Sequence, residues 1–270
     1  MDQFSTPTWD DVLNDRLLPR RRRNRDERTE VRNRVAALKA QSGCDRFPTD
    51  VHALAQSVGI GHVRSLPLAM RGRIVREGAG IVAELNEMLS RREQRFVLAH
   101  EIAHMLLARD LNRAGAQSVF GSARLQKSYR SVEQLCDYAA REILIPENAI
   151  RKELKLRPVS IEMAVAMAEE TDCDLQVVAQ CICDLPRQQN LIFVFCRPNA
   201  DSIDVLKVVP NSAITYELGD KGDTLVRRAL REKKEIKGDQ EVWANGSRAI
   251  IGAQALRMDS GDVVLLIGVS

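Results

Sequence analysis

Histidine is almost missing from this chain, with four in 270 residues. Aromatic residues are scarce as well, at 4 %, which argues against a surface specialised for stacking bases or sugars. No window approaches the run of roughly 18 apolar residues that spans a bilayer. The first twenty residues, MDQFSTPTWDDVLNDRLLPR, contain no apolar core long enough for a secretory signal. The expectation is a cytoplasmic protein with no membrane contact. Internal repeats are also lacking. Six cysteines follow no disulfide framework, and in that compartment they are expected as reduced thiols. Cys181 and Cys183 form a CxC pair, yet VVAQCICDL reads as an apolar helix in which cysteine is a small core filler.

What remains is an ordinary globular composition, 44 % apolar and 29 % charged, in a chain long enough for two or three modules. The net charge of +3 does not by itself demand a nucleic-acid partner. Its distribution is uneven, since RRRRNR concentrates positive charge at Arg20 to Arg25. Such a run is ordinarily a solvated, mobile arm, and a weak contact with DNA or an acidic partner is the other reading.

Apolar Val31, Val35 and Leu38 recur at helical spacing in DERTEVRNRVAALKAQSG, which Gly43 ends. PTDVHALAQSVGI predicts a second helix capped by Thr49 or Asp50. HVRSLPL and GRIVREGAGIVAELN alternate like short strands. SRRE then opens a helix at Ser90, with Glu93 as the reciprocal partner of a capping box. A polar loop is expected over LNRAGAQSVFGSARLQKSYR, before a helix that begins at Ser131 and stops at Pro146. ENAIRKELK and SIEMAVAMAEETDCDLQVVAQCICDL predict three short helices. Asp172 or Asp174 caps the last, in a pattern compatible with a helix-turn-helix or with a pair that merely packs. PRQQN marks a boundary. Beyond it, LIFVFC, VLKVVP, SRAIIGAQALRM and DVVLLIGVS read as strands and DTLVRRALREKKEI as an amphipathic helix, together a separate α+β domain.

Two of the four histidines, His100 and His104, stand in RFVLAHEIAHMLLARD. Residues at i and i+4 share one face of a helix, so their imidazoles can aim at one point, as a tetrahedral zinc site requires. Glu101 projects elsewhere, near a metal without binding it, where it can take a proton from an activated water. The apolar flanks bury the helix, and a charged Glu101 inside it needs a reason. A catalytic zinc needs a third ligand and an open position. His52 and His62 lie upstream in unrelated segments. EQLCD on the next helix offers Glu133 and Asp137, again at i and i+4. One carboxylate can bind the metal while the other accepts from the far nitrogen of a ligand histidine.

With both helices on the page, the chain resembles a family. EQRFVLAHEIAHMLL followed by EQLCDYAAREILIP is similar to the ImmA/IrrE metallopeptidases, in particular to the IrrE-type radiation- and stress-response regulators. The resemblance covers about residues 30 to 185, and past Asn190 only the order of strands and helix matches. It implies an α+β protein with a mainly helical, zincin-like HExxH peptidase domain and small sheet at 28–156. A helix-turn-helix-like segment at 157–187 and a GAF-like domain at 188–270 would follow, with residues 1–27 as the basic arm. It also implies that His100, His104 and Glu133 bind zinc and that Glu101 is the general base. Asp137 stands where IrrE-type proteins often have asparagine, and aspartate is the stronger acceptor. The residue that stabilises the transition state is open among Tyr129, Arg130 and Arg124.

The function so implied is a zinc endopeptidase that cuts a helix-turn-helix repressor and derepresses a stress or mobile-element regulon. The competing reading is a DNA-binding or ligand-sensing regulator whose zinc is structural or vestigial. Glu101 separates the two, because a structural site needs no carboxylate beside its metal. DLQVVAQCICDL also contains no basic residue with which to read DNA.

Overall fold

The computed structural model describes residues 21–113, 124–185, 188, 191–199, 203–209, 216–218, 225–232, 235–244 and 247–268. They form two compact units, Met1–Pro146 and Glu147–Ser270. No helix among the described residues is long and apolar enough to cross a membrane.

The first unit opens with helix α1, Arg21–Ser42. Arginines 21–25, expected in a mobile arm, therefore lie on a helical backbone, while residues 1–20 fall outside the described residues. Arginine is a strong helix former, and neither Gly nor Pro interrupts the segment before Gly43. Gly43 turns left-handed at φ 65°. The N–H groups of Gly43 and Cys44 return to the carbonyls of Ala40 and Lys39, which closes the helix in a Schellman motif. Asp50 caps α2, Val51–Ser57, accepting from the N–H groups of His52 and Ala53 at 3.0 Å each.

Thr49, the other cap candidate, turns inward instead. Its Oγ1 accepts from Lys39 Nζ at 3.0 Å and donates to the Ile143 carbonyl at 3.2 Å. Lys39 Nζ donates to the same carbonyl at 3.0 Å. A buried ammonium is tolerable only with such partners. These bonds tie α1 to the end of α4, Arg124–Leu144.

Strands β1, His62–Leu66, β2, Gly72–Glu77, and β3, Gly80–Asn86, form a sheet in the order β1-β3-β2. Central β3 runs parallel to β1 and antiparallel to β2. One face packs towards α3, Arg91–Arg113. A Cβ added at Gly72 would sit 2.4 Å from Val97 Cγ1, so glycine there is what lets β2 lie against the helix. On the other face Glu84 is in register with both Arg64 and Arg73. It accepts from them at 3.2 and 2.6 Å, and the two guanidiniums hold its buried carboxyl below the usual range.

The capping box of α3 forms as its sequence predicts. Ser90 N–H donates to Glu93 Oε2 at 2.9 Å and Glu93 N–H to Ser90 Oγ at 3.2 Å. The following loop is shorter than expected, because α3 continues to Arg113 and α4 begins at Arg124 rather than Ser131. RLQKSYRS contains no helix breaker, so Ser131 is an interior residue of α4 and not its cap.

The second unit contains α5, Glu147–Leu156, α6, Ile161–Thr171, and α7, Leu175–Cys183. Next come β4, Leu191–Pro198, β5, Ile203–Val209, and β6, Tyr216–Leu218. Helix α8, Leu225–Glu232, precedes β7, Ile236–Ala244, β8, Ser247–Arg257, and β9, Val263–Gly268. The sheet order is β5-β4-β9-β8-β7-β6, with every described pairing antiparallel. Strands β6 and β7 were not legible in the sequence, and α8 stops before Ile236, which already belongs to β7.

Helices α6 and α7 share the core of this sheet. Ser160 caps α6, accepting from Met163 N–H at 3.1 Å, and Asp172 ends it in the left-handed region at φ 52°. Two more N–H groups of its first turn are met from the sheet side: Ile161 donates to Gln254 Oε1 at 3.4 Å and Glu162 to Glu235 Oε2 at 3.2 Å. Asp174 stands at the start of α7 without a side-chain cap bond. Cys181 and Cys183 are buried. Burial, followed by the charge of Asp184, pushes the Cys183 thiol up to about 12, as suits a core filler.

Because α6 and α7 bury their apolar faces inside this unit, a fragment of residues 147–270 should unfold cooperatively in a thermal melt followed by circular dichroism. A fragment of residues 191–270, stripped of those helices, should melt at least about 10 °C lower or not cooperatively, since it loses several fully buried side chains, each contributing on the order of 1.5–3 kcal/mol. Equal melts for the two would mean that the helices contribute nothing to the sheet's stability.

Candidate metal centre

Successive turns of α3 present His100 and His104, and α4 lies alongside and presents Glu133, Cys136 and Asp137. The spacing does what the sequence suggested, as i,i+4 on each helix puts the side chains on the facing sides. The His100 and His104 Nε2 atoms face each other at 3.0 Å. Glu133 Oε2 lies 3.2 Å from His100 Nε2 and its Oε1 3.3 Å from His104 Nε2. One ligand atom from each of the three residues lies within 4.8 Å of the others. Two imidazole nitrogens and a carboxylate oxygen converging in this way are a donor set that fits zinc.

The far nitrogens are also engaged. His100 Nδ1 is 2.9 Å from Asp137 Oδ1, the carboxylate–histidine pairing that fixes a ligand ring and raises its basicity. Burial alone would lower the His100 pKa, but the Asp137 hydrogen bond and charge carry it above its ordinary value. His104 is lowered, by burial first and then by the His100 charge. Its Nδ1 lies 3.4 Å from Cys136 Sγ. Burial, with the charges of Glu133, Asp137 and Glu101, pushes the Cys136 thiol up to about 12. Sequence reasoning missed this contact. The signal available was Cys136 standing one turn past Glu133, on the same face of α4.

Glu101 is buried at 7 % exposure. Burial is the main cause that lifts its carboxyl above the usual range, and the Glu133 charge adds to it. Glu133 and Asp137 are more open, with side chains 30 % and 48 % exposed, so the centre is reachable from solvent on the α4 side. Of the histidines weighed and set aside, His52 lies on α2 and His62 on β1. Both are exposed and outside the cluster. Arg124, Tyr129 and Arg130 lie on the first turns of α4, and their side chains fall outside the described residues.

Zinc should therefore co-purify with the protein at about one per chain. His100→Ala, His104→Ala or Glu133→Ala should abolish stoichiometric binding, and Asp137→Ala should weaken it by about 10- to 100-fold. Elemental analysis and chelator competition on the folded proteins measure both effects.

Residues 70–180 match the IrrE N-terminal-like domain, Peptidase M78. The match spans both helices of the centre. No curated protein matches the chain. Among solved structures, a Mycobacterium tuberculosis transcriptional regulator superposes with a TM-score of 0.53 at 15 % identity, covering 90 % of this chain and 75 % of that one. At that identity the likeness is one of fold. Residues 70–180 of this chain thus carry a domain similar to that of the ImmA/IrrE family.

Proposed function

We propose that this protein is a zinc-dependent endopeptidase that cleaves a helix-turn-helix transcriptional repressor, thereby releasing a stress, DNA-damage or mobile-element gene set. The observation that carries the peptidase reading is Glu101: a buried carboxylate one residue from a metal-ligand histidine, with Glu133 across from it. A structural metal centre has no use for it. A general base does.

His100, His104 and Glu133 would hold the zinc, and Asp137 would fix the His100 ring. When bound, zinc would supply Lewis acidity, polarising a peptide carbonyl and lowering the pKa of water so that a nucleophile is available near neutral pH. Glu101 takes the proton from the attacking water and hands it to the departing amine. Its burial serves that transfer, because a desolvated carboxylate holds a proton more readily than an exposed one. Glu133 and Asp137 are partly exposed, and a peptide would approach from their side.

Repressor cleavage is supported by the family of residues 70–180 and by the name of the structural neighbour, a transcriptional regulator. That name also favours a second reading, in which the chain acts on DNA or senses a ligand directly. Against DNA readout through α7, five of its nine residues are buried and none is basic. The second unit, an antiparallel sheet with helices, suits a GAF-like sensor that regulates the peptidase. A DNA-bound repressor as substrate would place its action in the cytoplasm.

Glu101→Gln keeps size and hydrogen bonding but cannot accept the proton. With a helix-turn-helix repressor as substrate, cleavage should fall by about 10²- to 10⁴-fold while zinc and fold stay intact. Mass spectrometry of the repressor fragments measures it. Undiminished cleavage would rule out this mechanism, and a transcriptional response that survives the substitution in cells would favour the regulator reading.

A further inference from the structure

His100 and His104 are backed unequally. The far nitrogen of His100 meets a carboxylate, Asp137 Oδ1, at 2.9 Å, whereas that of His104 meets a sulfur, Cys136 Sγ, at 3.4 Å. Both Nε2 atoms are turned to Glu133 and to each other, so these are the nitrogens that face the metal position. A nitrogen that binds a metal carries no proton, which leaves the proton of each neutral ring on Nδ1. At His104 that N–H points at sulfur.

We infer that Cys136 is a positioning residue of the metal centre: its sulfur accepts from His104 Nδ1–H and thereby fixes the tautomer and ring plane in which Nε2 meets the metal. The inference rests on the zinc reading above. Three features support it. Cys136 has 0 % exposure, so water does not substitute for it. It is carried by α4 one turn past Glu133, so a single rigid element sets both the third ligand and the support of the second. The His104 and His100 rings stand edge to face, with centroids 4.7 Å apart and planes at 70°. With His100 held by Asp137, only the rotation of His104 remains to be fixed. A thiol sulfur is a weaker acceptor than a carboxylate, so His104 is the less firmly oriented of the two ligands and the more sensitive to losing its partner.

The test compares full-length wild type with Cys136→Val, Cys136→Ala and Cys136→Ser. Valine keeps the apolar volume without an acceptor, alanine removes both, and serine keeps an acceptor. Zinc affinity is measured by chelator competition, and the geometry of the centre by the visible absorption of the cobalt(II)-loaded proteins. Circular dichroism of the metal-free proteins checks the fold, and alanine carries the comparison should valine not fold. Valine and alanine should bind zinc about 10- to 100-fold more weakly and shift the cobalt bands, and serine should recover most of the affinity and the spectrum. Wild-type affinity in the valine or alanine protein would overturn the role of Cys136 and leave the zinc reading standing. So would a serine protein as weak as alanine, which would reduce Cys136 to packing. A wild-type protein that holds no zinc would overturn the zinc reading itself and this inference with it.

Discussion

Helices α3 and α4 must lie side by side in one register, and the chemistry of the first unit depends on that constraint. The His100/His104 face of α3 has to meet the Glu133/Cys136/Asp137 face of α4 at hydrogen-bond distance. Side-chain spacing on each helix is local, but the meeting of the two faces is not. The meeting rests on two helices that are each anchored in the core of the unit, by the fully buried Leu98 and Ile102 on α3 and Ala139 and Ile143 on α4. It is further fixed where Lys39 and Thr49 both donate to the Ile143 carbonyl at the end of α4. That carbonyl is one of the last of the helix, whose groups have no partner within it, and a buried cation meets it at a helix end where positive charge is favourable. Far from the centre in sequence, Lys39 therefore helps hold α4 at the height at which Glu133, Cys136 and Asp137 meet the histidines.

The small sheet answers a related problem from the other side. Gly72 lets β2 approach Val97 on α3, bringing an open strand close to the helix that carries the histidines. The opposite face of the sheet would otherwise bury Glu84 without compensation. Arg64 and Arg73, from the two flanking strands, meet its carboxylate in register. A one-residue slip of either strand would move its arginine to the other face and strand a buried charge. The ion group thus works against misregistration more than for raw stability, since its arginines are half exposed and screened by water.

What was legible in the sequence follows the range of the interactions involved. The capping box at Ser90 and Glu93, the helix end at Gly43, and the two i,i+4 pairs are local, and the structure forms each where the residues predict it. The start of α4 was misplaced because Ser131 resembles a cap, although the preceding RLQKSYR has nothing to stop a helix. β7 was missed because Gly238, Asp239 and Glu241 disguise a strand whose place is set by pairing with β8. Cys136 was passed over for a similar reason. Inside LCDYAA a cysteine reads as core, and only the approach of His104 from another helix gives its sulfur a task.

The helix pair α6–α7 shows how a motif-like pattern can be put to structural use. Two short helices joined by TDCD have the outline of a DNA-reading element, but such an element must offer a polar, basic surface to a groove. Here the pair's apolar residues turn into the second unit, and the N–H groups of the first turn of α6 donate to Ser160, Glu235 and Gln254. Glu235 stands immediately before β7 and Gln254 lies on β8, so the N-terminus of α6 is fixed by two strands of the sheet. A negative carboxylate at that position is favoured by the helix dipole as well as by the N–H it accepts. Lifting α6 away to bind DNA would break these bonds and expose Ile161, Met163 and Met167, all buried. A movement of β7 or β8, on the other hand, would act directly on α6. The pair is therefore better placed to follow events in the sheet than to act apart from it.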